Sequence, residues 1–408
     1  MKRVQVNPKS AASVVVVMLC ISAFRAQAAT YSGGVGTPSN PLQLATAADW
    51  ATLTATPGDW TKRFVLIADI DFAGATLDMV GTGYHASFKG RLDGNGHVLR
   101  NGQVNEPGVE NVGIFGYVGA GGWVFNLGVE NVTVTGKKNV GGLIGYNDLG
   151  NIISCSQDSA VSGEYSVGGL VGINQSATIT ACYATGTVIG TGGFGNSLGG
   201  LAGTNQLGTI DSCYATGSVS GNITVGGLVG DNFNATIMES YSASAVTGST
   251  NVGGLVGKND GSTVTLSYWD VNTSGQAVSA AGEGRTTDEM TYPYAVNTFV
   301  GWDFTNVWVA DADYSVNNGY PYHGVYVAPE EGEGEGESGE GETTEGEVSE
   351  GEITEGETIE GETSEGEPGE GEDEACGCCN APGKDLTPKD LIERTLGDWL
   401  LIGRSARN

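Results

Sequence analysis

Short apolar runs separated by glycine-rich turns recur along the middle of the chain, and the pattern returns at a fixed interval. Five segments share the order apolar–Gly–Gly–Leu–apolar–Gly, and they begin at Val140, Val167, Leu198, Val225 and Val252. Successive starts lie 27, 31, 27 and 27 residues apart. Short runs rich in Gly, Val, Thr and Ser are typical of β-strands. Each repeat is therefore predicted to form two or three short strands.

Positions outside the glycine motif recur as well. The seventh residue after each start is Asn147, Asn174, Asn205, Asn232 or Asn259, and the fifteenth is Cys155, Cys182, Cys213, Ser240 or Ser267. A single repeat of this kind cannot bury its apolar face alone, whereas stacked repeats can. The period predicts an all-β fold, a right-handed parallel β-helix, which is a solenoid built from coils of 27 residues.

Stacking turns each recurring position into a ladder, because equal positions of successive coils lie above one another at the ~4.8 Å strand spacing. Valine, leucine and isoleucine positions are predicted to fill the interior. Glycines are expected where the chain turns with positive φ or packs closely. Asparagine side chains at this spacing can hydrogen-bond to one another and to the backbone of a buried bend. We therefore interpret the five asparagines as a structural ladder.

The cysteines of the repeats share one position, which invites a disulfide or metal interpretation. Neighbouring coils bring their Cα atoms within disulfide range, but parallel side chains leave the Cβ atoms too far apart. Ser240 and Ser267 occupy the same position, so the fold does not require thiol chemistry there. A small buried ladder of Cys155, Cys182 and Cys213 is the preferred interpretation.

The unit Val-Gly-Gly-Leu-Val-Gly-x-Asn resembles the GLUG motif of bacterial secreted and surface proteins. The flanks resemble the usual lead-in and exit of such proteins at residues 31–34, 68–71, 92–97, 268–270 and 284–290. The resemblance covers roughly residues 31–325. It implies a β-helical stalk or adhesin-like module and does not imply an enzyme activity. The motif also occurs beside catalytic domains, including IgA-cleaving metalloproteases, and no such domain is recognised in this sequence.

Segments of different character flank the repeats. Residues 1–28 are interpreted as a signal peptide, because a basic start and an apolar stretch precede Ala26-Gln27-Ala28. Residues 29–110 are predicted to form an N-terminal cap and the first coils, 111–275 the GLUG-repeat β-helix, and 276–329 a C-terminal aromatic cap. Trp50 and Trp60 are expected to pack in the N-terminal cap. The aromatic residues of the C-terminal cap could alternatively be platforms on which sugars stack.

The negative charge of the chain is concentrated near its C-terminus. The net charge is -30, and residues 330–374 contain 21 acidic residues and no basic one. Dense like charge with glycine and few apolar residues predicts a disordered spacer. Residues 375–408, with Cys376, Cys378 and Cys379, are predicted to form a tail with a short helix, and cell-envelope anchoring through this tail is a hypothesis. The acidic charge argues against nucleic acid as a partner.

The sequence shows no cluster of catalytic residues. The carboxylates of the coils are Asp148, Glu164, Asp211, Asp231, Glu239, Asp260 and Asp270, and they occupy scattered repeat positions. Only Asp148 and Asp260 share a position, and four coils separate them, too far for a catalytic pair ~5–10 Å apart. His85, His97 and His323 lie outside the regular coils. No catalytic residue, cofactor or metal site is predicted.

These observations predict a non-enzymatic secreted or cell-surface protein that serves adhesion or structure. Its expected partners are surface glycans or extracellular proteins, and no stable transmembrane span is expected. One alternative is a polysaccharide lyase or glycoside hydrolase on a β-helix scaffold. Another is a protein-docking stalk anchored through the C-terminal tail. Aligned Asp and Lys side chains in a lateral groove would favour the enzyme, whereas a uniform Ser/Thr/Asn face would favour binding or structure.

Overall fold

The computed structural model describes residues 30–193 and 196–324, and in them the chain winds into a parallel β-helix. Strands from successive coils pair in parallel to form five sheets. All-β character, parallel pairing and the 27-residue coil are confirmed. The predicted signal peptide (1–28), acidic spacer (330–374) and C-terminal tail (375–408) lie outside the described residues.

The five sheets are numbered here in the order in which the N-terminal coils enter them. Sheet I contains Leu42–Leu44, Arg63–Leu66, Arg91–Asp93, Trp123–Phe125, Asn151–Ile153, Thr178–Thr180, Thr209–Asp211, Thr236–Met238 and Thr263–Thr265. Sheet II contains Ile70–Asp71, Val98–Arg100, Gly128–Glu130, Ser156–Asp158, Tyr183–Ala184, Tyr214–Ala215, Tyr241–Ser242, Tyr268–Asp270 and Glu283–Arg285.

The other three sheets have six strands each. Sheet III contains Gln103–Asn105, Thr133–Thr135, Ala160–Gly163, Thr187–Gly190, Ser218–Ser220 and Ala245–Thr247. Sheet IV contains Glu110–Val112, Lys138–Gly141, Tyr165–Gly168, Leu198–Gly199, Ile223–Gly226 and Thr250–Gly253. Sheet V contains Phe115–Val118, Ile144–Asp148, Val171–Gln175, Ala202–Gln206, Val229–Phe233 and Val256–Asp260.

Each regular coil carries five strands, so the expectation of two or three per repeat was wrong. The coil from Lys138–Gly141 to Ala160–Gly163 passes through sheets IV, V, I, II and III in turn. Some of its corners are too short to show as loops in the sequence. Leu149, with φ of 60°, turns the chain from sheet V to sheet I, and Ser154, with φ of 51°, turns it from sheet I to sheet II.

The glycines of the repeated motif mark close packing between coils. None of them in the five regular repeats has a positive φ, and residues such as Leu149, Ser176 and Ala181 occupy the left-handed corners. A Cβ on Gly200 would lie 2.2 Å from the carbonyl oxygen of Gly227 in the next coil. Backbones at this bend therefore approach too closely for any side chain. Of the two roles expected for glycine, close packing is the one that the motif uses.

Inward-facing side chains fill the interior of the described coils. On sheet I the inward residues of four successive coils are Ile152, Ile179, Ile210 and Ile237, and all are fully buried. Sheet III contributes a matching column of buried valines, at positions 134, 161, 188, 219 and 246. Because alternate residues of a strand point to opposite faces, their neighbours point outward and are free to vary.

The N-terminal end of the solenoid is closed by a helix, Ala47–Ala55, followed by a 3-10 turn, Pro57–Asp59. Thr46 and Asp49 form a capping box that satisfies amides at the start of the helix. Trp50 and Trp60 are both buried. The ring of Trp50 lies 6.0 Å from the ring of Phe115 in an edge contact, so the helix covers the first coils.

The segment predicted as a C-terminal aromatic cap has two parts. The Ser279 hydroxyl accepts hydrogen bonds from the amides of Leu255 and Val256, and Glu283–Arg285 extends sheet II beyond the last coil. After the short helices Val271–Ser274 and Thr287–Met290, the aromatic residues pack along the outer side of sheet II. There Trp308–Val309 pairs antiparallel with Tyr322–His323.

No helix among residues 30–193 and 196–324 is long and apolar enough to cross a membrane.

The substitution Gly200→Ala is expected to destabilise the solenoid by about 1–3 kcal/mol, because the new methyl group collides with backbone that cannot move aside. Gly108→Ala is the matched control, since a Cβ there meets nothing within 4 Å and the glycine has no positive φ. Urea denaturation of both variants measures the difference. Equal stability of the two variants would contradict the close-packing role of the motif.

Candidate functional site

The five asparagines predicted as a ladder lie side by side in adjacent strands of sheet V. The Asn147 amide donates to Asn174 Oδ1 at 2.9 Å. The same bond joins Asn174 to Asn205 and Asn205 to Asn232 at 2.9 Å, and Asn232 to Asn259 at 2.8 Å. The first four side chains are fully buried, and Asn259 is half-buried at the end of the row. The row joins five coils through their interior.

Four of the five ladder amides, all but Asn232, also donate to a backbone carbonyl at the bend that follows. Asn174 Nδ2 also donates to the backbone carbonyl of Ala177, at 2.9 Å. The row begins where Val118 takes the equivalent position of the preceding coil, and Asn147 Oδ1 therefore has no partner among the described residues. An unsatisfied buried acceptor costs about 1–3 kcal/mol. The ladder incurs this cost once, at its first member.

The cysteine column supplies acceptors to backbone amides. The thiols of Cys155, Cys182 and Cys213 are buried and form no disulfide. Cys182 Sγ accepts from the Cys155 amide at 3.3 Å, and Ser240 Oγ accepts from the Cys213 amide at 3.0 Å. Burial raises the pKa of the Cys155 and Cys182 thiols, which keeps them neutral. Sulfur and oxygen perform the same task, which explains why cysteine and serine share this position.

The outward tyrosines of sheet II form a stack that the C-terminal aromatic residues cover. The Tyr214 ring lies 4.8 Å from the Tyr183 ring and 5.1 Å from the Tyr241 ring, nearly parallel to both. Trp302, Trp308 and Tyr320 pack on this stack and are buried. These three rings are therefore not free to stack on sugars, which was the alternative considered for them.

His323 lies within this aromatic cover. Its ring centroid is 4.5 Å from the Trp308 ring and 5.2 Å from the Tyr214 ring. Its Nε2 donates to the carbonyl of Ser212 at 2.7 Å. Burial lowers the pKa of His323 to about 4, because a charged ring would be poorly solvated there. The histidine is therefore neutral at pH 7.

The outer face of sheet III is rich in hydroxyl groups, which Ala160, Ile189 and Ala245 interrupt. Its outward residues include Thr133, Thr135, Ser162, Thr187, Ser218, Ser220 and Thr247. Hydroxyls of adjacent coils approach one another, with Thr135 Oγ1 3.1 Å from Ser162 Oγ and Ser218 Oγ 3.3 Å from Thr187 Oγ1. These contacts give the face a repeating pattern of neutral donors and acceptors.

A shallow cleft of about 290 Å³ runs beside this face, at the corner between sheets II and III. Its polar lining residues are Asn131, Thr133, Asp158, Ser159, Thr185 and Thr187. A Cβ on Gly186 would lie 1.9 Å from the Ser159 carbonyl oxygen, so the backbones of two successive coils pack closely at the cleft. Cleft and hydroxyl face together are the candidate binding surface.

On sheet V, charged residues of adjacent coils lie close together. Asp231 and Lys258 are register partners in adjacent coils, and Lys258 forms an ion pair with Asp260. Asp260 lies two residues beyond Lys258 in the same strand, so it is a diagonal neighbour of Asp231 at an unequal repeat position. Burial raises the pKa of Asp231, although Lys258 opposes the shift. Hydrogen bonding to Asp260 raises the pKa of Lys258, which makes this lysine a poor general base at neutral pH.

A second charged group lies at the N-terminal end of sheet II. His97 Nδ1 is 3.0 Å from Asp69 Oδ1, and Arg100 Nη1 is 3.5 Å from Asp69 Oδ2. Hydrogen bonding to His97 lowers the pKa of Asp69. All three side chains are partly exposed. The group ties the first coils together at their surface, where salt screens such pairs.

Comparison with protein families confirms the motif. The family described as the GLUG motif matches residues 163–189 and 194–220. Both matches fall within the repeats that the sequence analysis identified.

Two curated relatives match about a quarter of the chain. Halomucin of Haloquadratum walsbyi is 34% identical over 106 residues, which are 23% of this chain and 1% of halomucin. A candidate Gly-rich membrane protein of Evansella cellulosilytica is 31% identical over 104 residues, which are 24% of this chain and 12% of that protein. The matches thus span only a small part of either relative.

One solved structure has the same fold. It is a candidate immunoglobulin A1 protease from Bacteroides ovatus, with a TM-score of 0.56 and 23% identity. The alignment covers 72% of this chain and 95% of that chain. At this identity the likeness shows the fold alone.

Replacing Asn205 by leucine, which has nearly the same shape, is expected to cost about 1–3 kcal/mol, because Asn232 Oδ1 loses its donor inside the core. Asn259→Leu is the control at the half-buried end of the row, where water can substitute. We expect less than half the loss there. Urea denaturation gives both values, and equal losses would show that the ladder bonds contribute little.

The packing of Trp302, Trp308, Tyr320 and His323 (the aromatic cover) against sheet II is expected to become less stable as the pH falls from about 6.5 to about 4. The folded-state pKa of His323 is depressed, so the unfolded chain takes up the proton first and stability declines through this window. His323→Gln retains a side-chain donor but does not titrate, so it should make the stability depend less on pH in this window. Tryptophan fluorescence against pH compares the two proteins. An identical acid transition in the variant would exclude His323 as its cause.

Proposed function

We propose that this chain, a GLUG-motif repeat protein, is a non-enzymatic stalk that acts in adhesion or structure outside the cell. The observation that carries the proposal is the hydroxyl face of sheet III, which presents at least one outward hydroxyl group in each of five successive coils. A repeating face offers many weak contacts to a long partner, and such contacts gain strength together.

The interior of the solenoid suits a stalk. Isoleucine and valine columns fill it, and the asparagine row connects five of its coils by hydrogen bonds. Dense packing of this kind resists bending and compression. The outer positions can then present a binding face without altering the core.

Two observations support a location at the cell surface, one in the sequence and one in a relative. The predicted signal peptide would direct the chain out of the cytoplasm. One of the relatives is named as a membrane protein, which agrees with a place in the cell envelope. The predicted acidic spacer would hold the solenoid away from an anchor.

Neutral polysaccharide is the partner class that the face fits best. Serine and threonine hydroxyls both donate and accept hydrogen bonds, as sugar hydroxyls do. Asp158 in the adjoining cleft and the net charge of -30 would repel anionic chains.

The acidic pair of sheet V supports one alternative, a glycoside hydrolase. Asp231 and Asp260 lie in adjacent coils on one face, and the raised pKa of Asp231 suits a general acid. The raised pKa of Lys258 argues against a lyase that would use this lysine as its base. Asp231→Asn tests the hydrolase directly.

The full chain would be passed over immobilised neutral polysaccharides, with retention and newly formed reducing ends scored together. Thr187→Lys combined with Ser218→Lys covers the hydroxyl face of sheet III with long charged side chains. Thr178→Lys combined with Thr209→Lys is the matched control, because it changes the same two coils on sheet I. We expect about a tenfold loss of retention for the first pair, since contacts in series are lost together, and little change for the second.

If the wild-type chain releases new chain ends and Asp231→Asn abolishes this release, the protein is a glycoside hydrolase and the proposal of a non-enzymatic stalk is wrong. Equal losses for both lysine pairs would remove sheet III as the binding face. No retention on any polysaccharide would leave structure or protein docking as the role of the stalk.

A further inference from the structure

A tight turn projects from the N-terminal coils between Gly81 and Phe88. The Thr82 amide donates to the Ala86 carbonyl at 2.8 Å, and the Ala86 amide donates back to Gly83 at 3.0 Å. Tyr84 and His85 form the tip, with their rings 5.2 Å apart edge to face. Tyr84 is 68% exposed, more than any other tyrosine, tryptophan or phenylalanine among the described residues.

Both arms of this turn are held by the backbone of Tyr117 in sheet V. The Tyr117 amide donates to the Gly81 carbonyl at 3.1 Å, and the Phe88 amide donates to the Tyr117 carbonyl at 2.9 Å. Gly81 has a φ of 71°, and a Cβ there would lie 2.2 Å from the Tyr117 carbonyl oxygen. The exposed tip is therefore anchored at a fixed place beside the side chain of Tyr117.

Two stacked tyrosines and a carboxylate lie next to the turn. The rings of Tyr117 and Tyr146 are 5.0 Å apart and nearly parallel, and the Tyr117 hydroxyl donates to Asp148 Oδ2 at 2.7 Å. Burial is the main cause that raises the pKa of both tyrosines, and the nearby Asp148 adds to it. Both hydroxyl groups therefore stay protonated and can donate hydrogen bonds. Tyr146 and Asp148 are partly exposed and can reach a ligand.

The aromatic character of this column is confined to the coils beside the turn. The same outward position continues as Ile173, Thr204, Asp231 and Lys258 in the coils that follow. The repeat itself does not require tyrosine here. The two tyrosines occur only where the turn projects.

We propose that Tyr84, Tyr146 and Asp148 form a binding site for one ring of a neutral sugar, separate from the hydroxyl face of sheet III. The exposed face of Tyr84 suits the apolar C–H face of a sugar ring, because the aromatic face is negative and the C–H hydrogens are positive. Asp148 accepts from sugar hydroxyls, and Tyr146 offers a hydroxyl of its own. The Asp148 carboxylate would repel uronic and sulfated sugars. The site does not rest on the proposed role of the stalk.

The test uses the full chain with cellohexaose and xylohexaose as neutral probes, a hexamer of galacturonate as anionic probe, and tetramethylammonium as cationic probe. Saturation-transfer NMR titrations give the Kd for each. We expect binding of a neutral probe, weakened about fivefold to tenfold by Tyr84→Ala, since loss of one aromatic contact has this size. Asp148→Asn should weaken the same probe severalfold.

Tyr165→Ala is the matched control, because Tyr165 is an exposed tyrosine on sheet IV, and its loss should leave the Kd within about twofold. Circular dichroism checks that each variant keeps the fold of the wild type. Neutral sugar binding that survives Tyr84→Ala would overturn the proposal. Stronger binding of galacturonate or of tetramethylammonium than of the neutral sugars would also overturn it, as would binding of none of the probes. If tetramethylammonium binds and Tyr84→Ala abolishes this binding, the site is a cation site instead.

Discussion

Backbone hydrogen bonding between successive coils is the constraint on which the rest of this structure depends. It sets the coils ~4.8 Å apart, so every side chain faces its counterpart from the next repeat. Each ladder asparagine then meets the asparagine of the next coil, and the bend at Gly200 has no room for a Cβ. Repetition of the sequence is thus a physical requirement of the stack.

The same constraint gives the inner and the outer side chains of the coils different roles. Inside, residues that can perform the same task must recur, because a change such as Val118 in place of asparagine leaves Asn147 Oδ1 without a donor. Outside, the columns vary freely, and function has room to differ from coil to coil. The tyrosine stack of sheet II is covered by the aromatic segment, the hydroxyl face of sheet III is open, and sheet V changes from tyrosines to charges along its length.

Chemistry on such a solenoid arises where unequal repeat positions meet. Asp231 and Asp260 come together because they are diagonal neighbours in adjacent strands, and Tyr84 joins Tyr117 because an irregular turn is anchored there. Neither arrangement follows from the repeat. A β-helix with a uniform core can therefore carry several local sites on its outer faces, each formed by a few residues.

The sequence by itself determined the parallel β-helix and the coil length, because both are consequences of periodicity, and the residues of its glycine motif carried the resemblance to the GLUG family. It also indicated which residues stand in equal positions, including the asparagine and cysteine columns. Only the tertiary structure decided that five strands make one coil, since a single left-handed residue such as Leu149 or Ser154 leaves no signature of a turn. It alone placed Trp308 and His323 against the side of the coils, because residues far apart along the chain meet only after the solenoid has formed.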